Sequence, residues 1–238
     1  MPGGVYSALS GMQTRLADLD RLAEDLANVG TAGYKAERAT KMAAERDVFA
    51  AALESAVDVV GGGTRIDFRP GSIAATGRDL DLAIDGPGFF VVESAYGPRY
   101  TRNGSFTRRA DGLLTTPEGE PVLGEEGPIR LGPGRITVEE DGTVLADGIA
   151  AGRLRVVQLP EGAAVRESGA RFRAAPGAAP QPIASRIVGG ALEKSNVSMV
   201  DRMAALVEVT RAFEALQRGV MVLVNEVDGR AIAEFGRR

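Results

Sequence analysis

The chain has 238 residues, with 28 Lys and Arg against 32 Asp and Glu, for a formal net charge of -4. It therefore lacks the excess of positive charge with which proteins bind nucleic acid or anionic membranes. Neither histidine nor cysteine occurs, which removes Ser-His-Asp and Cys-His nucleophiles, thiolate chemistry, disulfides and nearly every zinc or haem site. An enzyme would have to work with carboxylate pairs, lysine or an oxygen-ligated cation. The length accommodates one large domain or two modest ones, with ample material for a core.

At the N-terminus, Val5, Leu9, Met12, Leu16, Leu19, Ala23 and Leu26 recur at spacings of four and three. That register predicts a helix with a continuous apolar seam, beginning near Gly4 and ending at Ala27 or Asn28. Asn28, Gly30 and Gly33 supply residues that tolerate the left-handed backbone of a helix C-cap. Arg15, Asp18, Asp20 and Arg21 interrupt any apolar stretch of a secretory signal, and no apolar run is long enough to span a bilayer. From Lys35 to about Val60 an Ala- and Glu-rich pattern is compatible with helix, until Gly61-Gly62-Gly63 breaks it as a flexible connector.

Between Asp67 and about Ile187 the punctuation changes. Turn pairs follow one another closely: Pro70-Gly71, Pro87-Gly88, Asn103-Gly104, Asp111-Gly112, Glu118-Gly119, Asp141-Gly142 and Asp147-Gly148. The Asn-Gly and Asp-Gly pairs suit hairpins of type I′, in which both central residues take positive φ. The short apolar runs between them, such as Phe89 to Val92 and Leu154 to Leu159, are then antiparallel strands. Ala174 to Pro182 reads as a loop that returns the chain toward its last helix.

Ser198-Met199-Val200-Asp201 has the spacing of a capping box and opens that helix. Its register runs through Met199, Met203, Leu206, Thr210, Phe213, Gln217, Val220, Val224, Val227 and Ala231, with Thr210 and Gln217 as the polar members. Two seams of this kind either close on each other as an intramolecular hairpin or meet the helices of other subunits. The fold class expected is α+β: N- and C-terminal helices pairing as a coiled-coil-like stem around a central antiparallel β-rich domain. The boundaries expected are 1–36 for the first helix, 37–75 for a variable linker, 76–190 for the β-rich domain and 191–238 for the second helix.

Four stretches, in order, resemble the axial proteins of the bacterial flagellum, the rod and hook-basal-body family. Leu26 to Lys35, with Asn28, Gly33, Tyr34 and Lys35, is similar to the signature that ends that family's first helix. Asp81 to Val92, with Asp85, Gly86, Gly88, Phe89 and Phe90, resembles its core strand motif, and Tyr100 to Phe106 follows at the corresponding place. Gly190 to Val197, with Ser195, Asn196 and Val197, resembles the run that opens the C-terminal helix. Gly127-Pro128-Ile129-Arg130 and Arg211-Ala212-Phe213-Glu214 bring the likeness closest to the proximal-rod, FlgF-type branch, with the distal-rod branch as the alternative.

The resemblance implies a structural subunit without enzymatic activity or cofactor, assembled through its terminal helices. Its implied partners are other proximal and distal rod subunits, its own copies and the flagellar type III export apparatus. Neither nucleic acid nor membrane insertion is implied. The implied location is the rod that crosses the periplasm, reached without cleavage of a signal peptide. On this view the interface consists of Val5, Leu9, Met12, Leu16, Leu19, Ala23 and Leu26 with Met199, Met203, Leu206, Phe213, Val220, Val224 and Val227. From a different class, Asp79, Asp81 and Asp85 share one parity along an extended segment, as a cell-wall glycan enzyme or binding module would use carboxylates. They lack the order of a calcium loop, and no general acid and base pair stands out. Gly61-Gly62-Gly63-Thr64 lacks the Lys of a phosphate loop.

Overall fold

The computed structural model describes residues 2–39 and 64–235, with side chains described for residue 9 and residues 11–38 and 64–222. The helical expectation for residues 35–60 is corrected over Glu37–Ala39, which form a strand; its remainder and the Gly61–Gly63 connector lie outside the described residues. The chain divides into two compact units. One holds, of the described residues, 2–27, 37–39, 64–65 and 198–235; the other holds 28–36 and 66–197.

The first unit contains two helices, α1 (Pro2–Ala27) and α2 (Met199–Phe235). Proline suits the first turn of α1 because it has no amide hydrogen to lose there. At the start of α2 the Ser198 hydroxyl accepts a hydrogen bond from the Asp201 amide at 3.4 Å, the cap that satisfies an otherwise unpaired donor. The two helices pack together. Among the described side chains of α1, Leu22 is the buried apolar one, at 2% exposure, and Leu216 Cδ1 lies 3.6 Å from where a Cβ on Gly11 would stand. Asp25 is fully buried, and its Oδ2 lies 3.1 Å from Arg202 Nε.

None of these five residues belongs to the predicted registers. Among those that do, Leu9 and Leu16 are 45% and 47% exposed, and Met199 and Met203 are each 48% exposed. Met12, Leu19, Leu26, Leu206, Phe213 and Val220 are half-buried and Ala23 is exposed. Val5, Val224 and Val227 lie outside the described side chains. The expectation of an α+β chain with a coiled-coil-like stem is therefore corrected: the described chain is mostly β, with two helices in contact at Gly11 with Leu216 and at Asp25 with Arg202, positions outside the 4-3 registers. An apolar repeat marks a face that gains by burial, whereas which surface a partner helix takes also depends on close approach and polar pairing. Here a glycine and a buried ion pair select a neighbouring face.

The second unit is built of antiparallel strands. Its largest sheet has six, ordered Ala164–Ser168, Arg171–Ala174, Gly97–Thr101, Phe89–Ser94, Val156–Gln158 and Gln181–Pro182. Phe89 and Val91 enter one core cluster with Tyr100, Val157 and Phe172, while Phe90 and Val92 enter the other with Leu82, Phe106, Leu114 and Val122. A strand alternates its side chains between faces, so an unbroken apolar run such as Phe89 to Val92 belongs where both faces are covered. Phe90 and Phe106 meet edge to face at 5.2 Å, and Phe68, Phe89 and Phe172 form a second such group.

The turn pairs act in three different ways. Asp147 and Gly148 both have positive φ, at 48° and 80°, and Ala146 faces Ile149 across the turn, as a type I′ hairpin requires. At Asp111-Gly112 and Asp141-Gly142 the glycine alone turns left-handed. The carboxylate instead accepts from the amide two residues on, Leu113 or Thr143, as side chains of this type do in tight turns. Asn103-Gly104 is not a type I′ turn, since neither residue has positive φ among the described residues. A Cβ on Gly104 would stand 1.8 Å from Leu82 O, so this glycine permits a close approach of backbones. Gly104→Ala is expected to abolish cooperative folding of the β-rich unit, whereas Gly30→Ala, with open space around its Cβ position, changes the melting profile little. Thermal unfolding followed by circular dichroism compares the two.

Candidate functional site

The motif residues from four separate stretches converge within the β-rich unit. Gly33 has φ of 67°, and a Cβ there would come 2.2 Å from Arg102 C, so only glycine lets the segment after α1 lie against the Arg102-Asn103 backbone. The Gly33 amide donates to Glu193 O at 2.7 Å. Tyr34 and Lys35 are buried, at 1% and 0% exposure. Lys35 Nζ donates to Glu193 Oε1 at 2.5 Å and to Arg69 O at 3.0 Å. Glu193 Oε1 also accepts from the Gly71 amide at 2.9 Å, and Oε2 accepts from Arg102 Nη1 at 3.3 Å.

Arg102 completes the cluster. Its Nη2 donates to Gly86 O at 2.8 Å, its Nη1 to Ile84 O at 3.3 Å, and its guanidinium lies 5.4 Å from the Phe89 ring centre. This accounts for the Asp85 to Phe90 motif: Gly86, with φ of 135°, turns its carbonyl to the arginine. Gly88 fits where a Cβ would meet Val156 Cγ1 at 2.7 Å. Phe89 and Phe90 supply the two cores, and Asp85 itself is exposed. Burial pushes the Lys35 ammonium below its ordinary range, against the hydrogen bond and charge of Glu193, which favour it.

Asn196 closes the opposite side. Its Oδ1 accepts from the Ala36 amide at 2.7 Å, and its Nδ2 donates to Asp67 O and Arg69 O at 2.7 and 3.0 Å. Ser195 Oγ accepts from the Val197 amide at 3.2 Å, and Val197 packs with Tyr34 and Ala36. Arg166 stacks over Tyr34 at 4.4 Å and donates to the Lys35 carbonyl. Asn28 Oδ1 accepts from the Thr31 hydroxyl at 3.1 Å, holding the turn that leads in. The segment after the first helix and the segment before the second are thus clasped to each other and to the strand that carries Phe89 and Phe90.

Sequence reasoning picked the small, aromatic and amide members of this clasp and passed over Glu193, Arg102 and Arg166, the charges that join them. One signal was available: in Ala191-Leu192-Glu193 the acid shares inward parity with Ala191, and both are buried. A buried acid at an inward position calls for a buried cation. Of the three aspartates on one parity, Asp81 is buried and lies 3.5 Å from Arg78, while Asp79 and Asp85 are exposed. Among the described residues no group of acidic side chains is arranged to hold a metal, and no helix is long and apolar enough to cross a membrane.

A second feature lies on the helices. Leu9 and Leu16 on α1, and Met199, Val200, Met203 and Val207 on α2, leave large apolar side chains at 45% to 76% exposure. These six large apolar side chains left in solvent on the two helices are the candidates for an interaction surface.

Comparison with known proteins agrees with this division. Residues 83–146 match the flagellar hook protein FlgE/F/G D1 domain, and residues 188–222 match the flagellar basal body rod FlgEFG protein C-terminal domain. The flagellar basal-body rod protein FlgF of Caulobacter vibrioides is 34% identical over 100% of this chain and 99% of its own length. This chain belongs to the FlgF type of flagellar basal-body rod proteins. The FlgF of Salmonella typhimurium is 33% identical, covering 97% of both chains. The rod protein FlgG of Bacillus subtilis is 29% identical over 89% of this chain and 91% of its own. The two FlgE/F/G matches cover the Asp85 to Phe90 motif, Arg102, Glu193 and Asn196, so most of the clasp is built from segments that define the family.

Removing one member of a buried ion pair strands the other charge, which costs about 3–5 kcal/mol, whereas removing both can be nearly neutral. Glu193→Leu leaves both Lys35 and Arg102 without their anion and is therefore expected to destabilise the β-rich unit by about that amount, whereas Lys35→Met leaves Glu193 paired with Arg102 and should cost less. The double variant Lys35→Met/Glu193→Leu should lose less than the sum of its singles. Urea unfolding of the four proteins in a double-mutant cycle measures this coupling.

Proposed function

We infer that the chain is a structural subunit of the flagellar basal-body rod, in its proximal part, and that it acts by packing rather than by turnover. The observation that carries this reading is the pairing of a charge-locked β-rich unit with helices that leave an apolar stripe uncovered. A shaft subunit must hold its neighbours by many repeated contacts, and apolar surface supplies non-directional attraction along its length. The proposed assembly surface comprises Leu9, Met12, Leu16, Leu19, Ala23 and Leu26 of α1 with Met199, Met203, Leu206, Phe213 and Val220 of α2, extended by Val5, Val224 and Val227. Its partners are other rod subunits, proximal and distal, and further copies of this chain. Residues 2–27 and 198–235 carry assembly in this scheme, and residues 28–36 and 66–197 form the β-rich body.

On the same reading the chain reaches the basal body through the flagellar type III export apparatus without cleavage, and it needs neither cofactor nor catalytic residue. A distal-rod role is the second reading, supported by the likeness to the FlgG rod protein, which is weaker at 29% than the 34% to FlgF.

Leu16 is exposed and Leu22 buried, which separates assembly from folding. Leu16→Asp and Met203→Asp each place a charge where burial in the rod would cost several kcal/mol, so these variants should fold normally yet lose motility and rod completion. Leu22→Asp should instead destabilise the helical unit itself. Motility in soft agar, with electron microscopy of isolated basal bodies and circular dichroism of the purified variants, checks both outcomes. Swimming cells with intact rods carrying Leu16→Asp would remove Leu16 from the interface.

A further inference from the structure

Asp25 stands in the last turn of α1 and is fully buried. Both facts count against a carboxylate there, because the end of a helix carries unpaired carbonyls and the negative pole of the dipole, and a buried charge is costly unless it is paired. Arg202 of α2 supplies the countercharge, its Nε 3.1 Å from Asp25 Oδ2. The other oxygen turns to a third element. Asp25 Oδ1 accepts from the Glu37 amide at 3.3 Å, and Glu37 opens the strand Glu37–Ala39, which pairs with Thr64–Ile66.

Glu37 is held from its carbonyl side as well. Arg21, one turn before Asp25 on the same face of α1, donates from Nη1 to Glu37 O at 3.1 Å, while its Nη2 donates to Asp18 Oδ1 at 2.8 Å. One helix face thus presents a donor and an acceptor to both polar groups of a single backbone residue, as a neighbouring strand does in a sheet. All of these residues lie in the helical unit. The two contacts differ in what they depend on. Arg21 is half-buried and has its own anion in Asp18, so its charge stays balanced whatever α2 does. Asp25 without Arg202 is a buried anion at the negative end of a helix dipole, a strain that is relieved by turning toward water and away from the Glu37 amide.

We propose that Asp25 is a latch that makes the pairing of α1 with α2 and the seating of the strand Glu37–Ala39 a single event. Whatever holds Arg202 against α1 also holds the first residue of the strand, and whatever parts the helices loosens it. Because the coupling is a free energy shared by the two contacts, it runs in both directions. The latch is a property of the free chain and does not rest on the rod reading. It bears on that reading because a partner that draws the two helices together thereby fixes the strand.

Amide hydrogen exchange of the purified full-length chain, read by mass spectrometry, tests the latch from its far side. Arg202→Met removes the cation from α2 and keeps an apolar stem, and Arg202→Lys restores a cation. The strand Phe89–Ser94, in the other unit, is the internal standard and should exchange as in the unaltered chain. The expected result is that Arg202→Met speeds exchange across residues 37–39 by at least about tenfold, as the loss of a hydrogen bond to a charged group requires, and that Arg202→Lys reverses most of the change. Faster exchange confined to α2, or strand exchange that Arg202→Lys fails to slow, overturns the latch and leaves the ion pair as a local brace. Where Arg202→Met abolishes the helical circular dichroism altogether, Glu37→Pro decides, since it deletes an amide that Asp25 accepts from and alters no helix residue. Faster exchange across residues 199–205 in that variant supports the latch, and unchanged exchange there overturns it.

Discussion

The buried group formed by Lys35, Glu193 and Arg102 is the constraint on which the β-rich unit depends. The three side chains are 0%, 1% and 6% exposed, and Glu193 is the anion between two cations. Charges taken this far from water survive only if each is paired and hydrogen-bonded. The surroundings supply the remaining partners: Arg69 O for the lysine, the Gly71 amide for the glutamate, Ile84 O and Gly86 O for the arginine. Those groups come from two further stretches of chain. The cluster is satisfied only when residues 33–35, 69–71, 84–86, 102 and 193 have all arrived. A hydrophobic core of the same size would tolerate sliding; this one is specific about its neighbours.

That specificity has a consequence for assembly. The segments leaving α1 and entering α2 are clasped within one compact unit by the ion group, by Asn196 and by the Arg166 stack on Tyr34. Strong directional bonds are thus spent where the chain folds on itself. The outward surface of the helices carries weak, non-directional attraction through Leu9, Leu16, Met199 and Met203. Within the helical unit the same division recurs, with the Asp25–Arg202 pair and Leu22 turned inward. Membership of the flagellar basal-body rod proteins fits a chain whose buried polar bonds lie within its units and whose helices leave apolar side chains exposed.

Much of the β-rich unit was legible in the sequence, because strand alternation and turn chemistry are local. Phe89 to Val92 announced an antiparallel strand, and Asp147-Gly148 a hairpin. Gly104 was misread for a physical reason: the sequence shows that a glycine is needed, not whether for positive φ or for space, and only the Leu82 carbonyl decides between them. The helices were legible as helices, yet their mutual packing was not. The 4-3 pattern does not announce the helix contact at Gly11 and Asp25, which carry no periodic signal although both lie in it. The ion cluster was the least visible part. Lys35 and Glu193 are 158 residues apart, and nothing in either segment names the other.

The central claim is that the apolar stripe on the helices is the surface buried in the rod, while the packing inside each unit is complete in the free chain. Hydroxyl-radical footprinting with mass spectrometry, comparing the purified chain with the chain in isolated basal bodies, tests it side chain by side chain. The account predicts that Leu9, Leu16, Met199 and Met203 label readily in the free chain and become protected in basal bodies. Leu22 and Tyr34 should stay unlabelled in both. Equal labelling of Leu9, Leu16, Met199 and Met203 in the two states would contradict it.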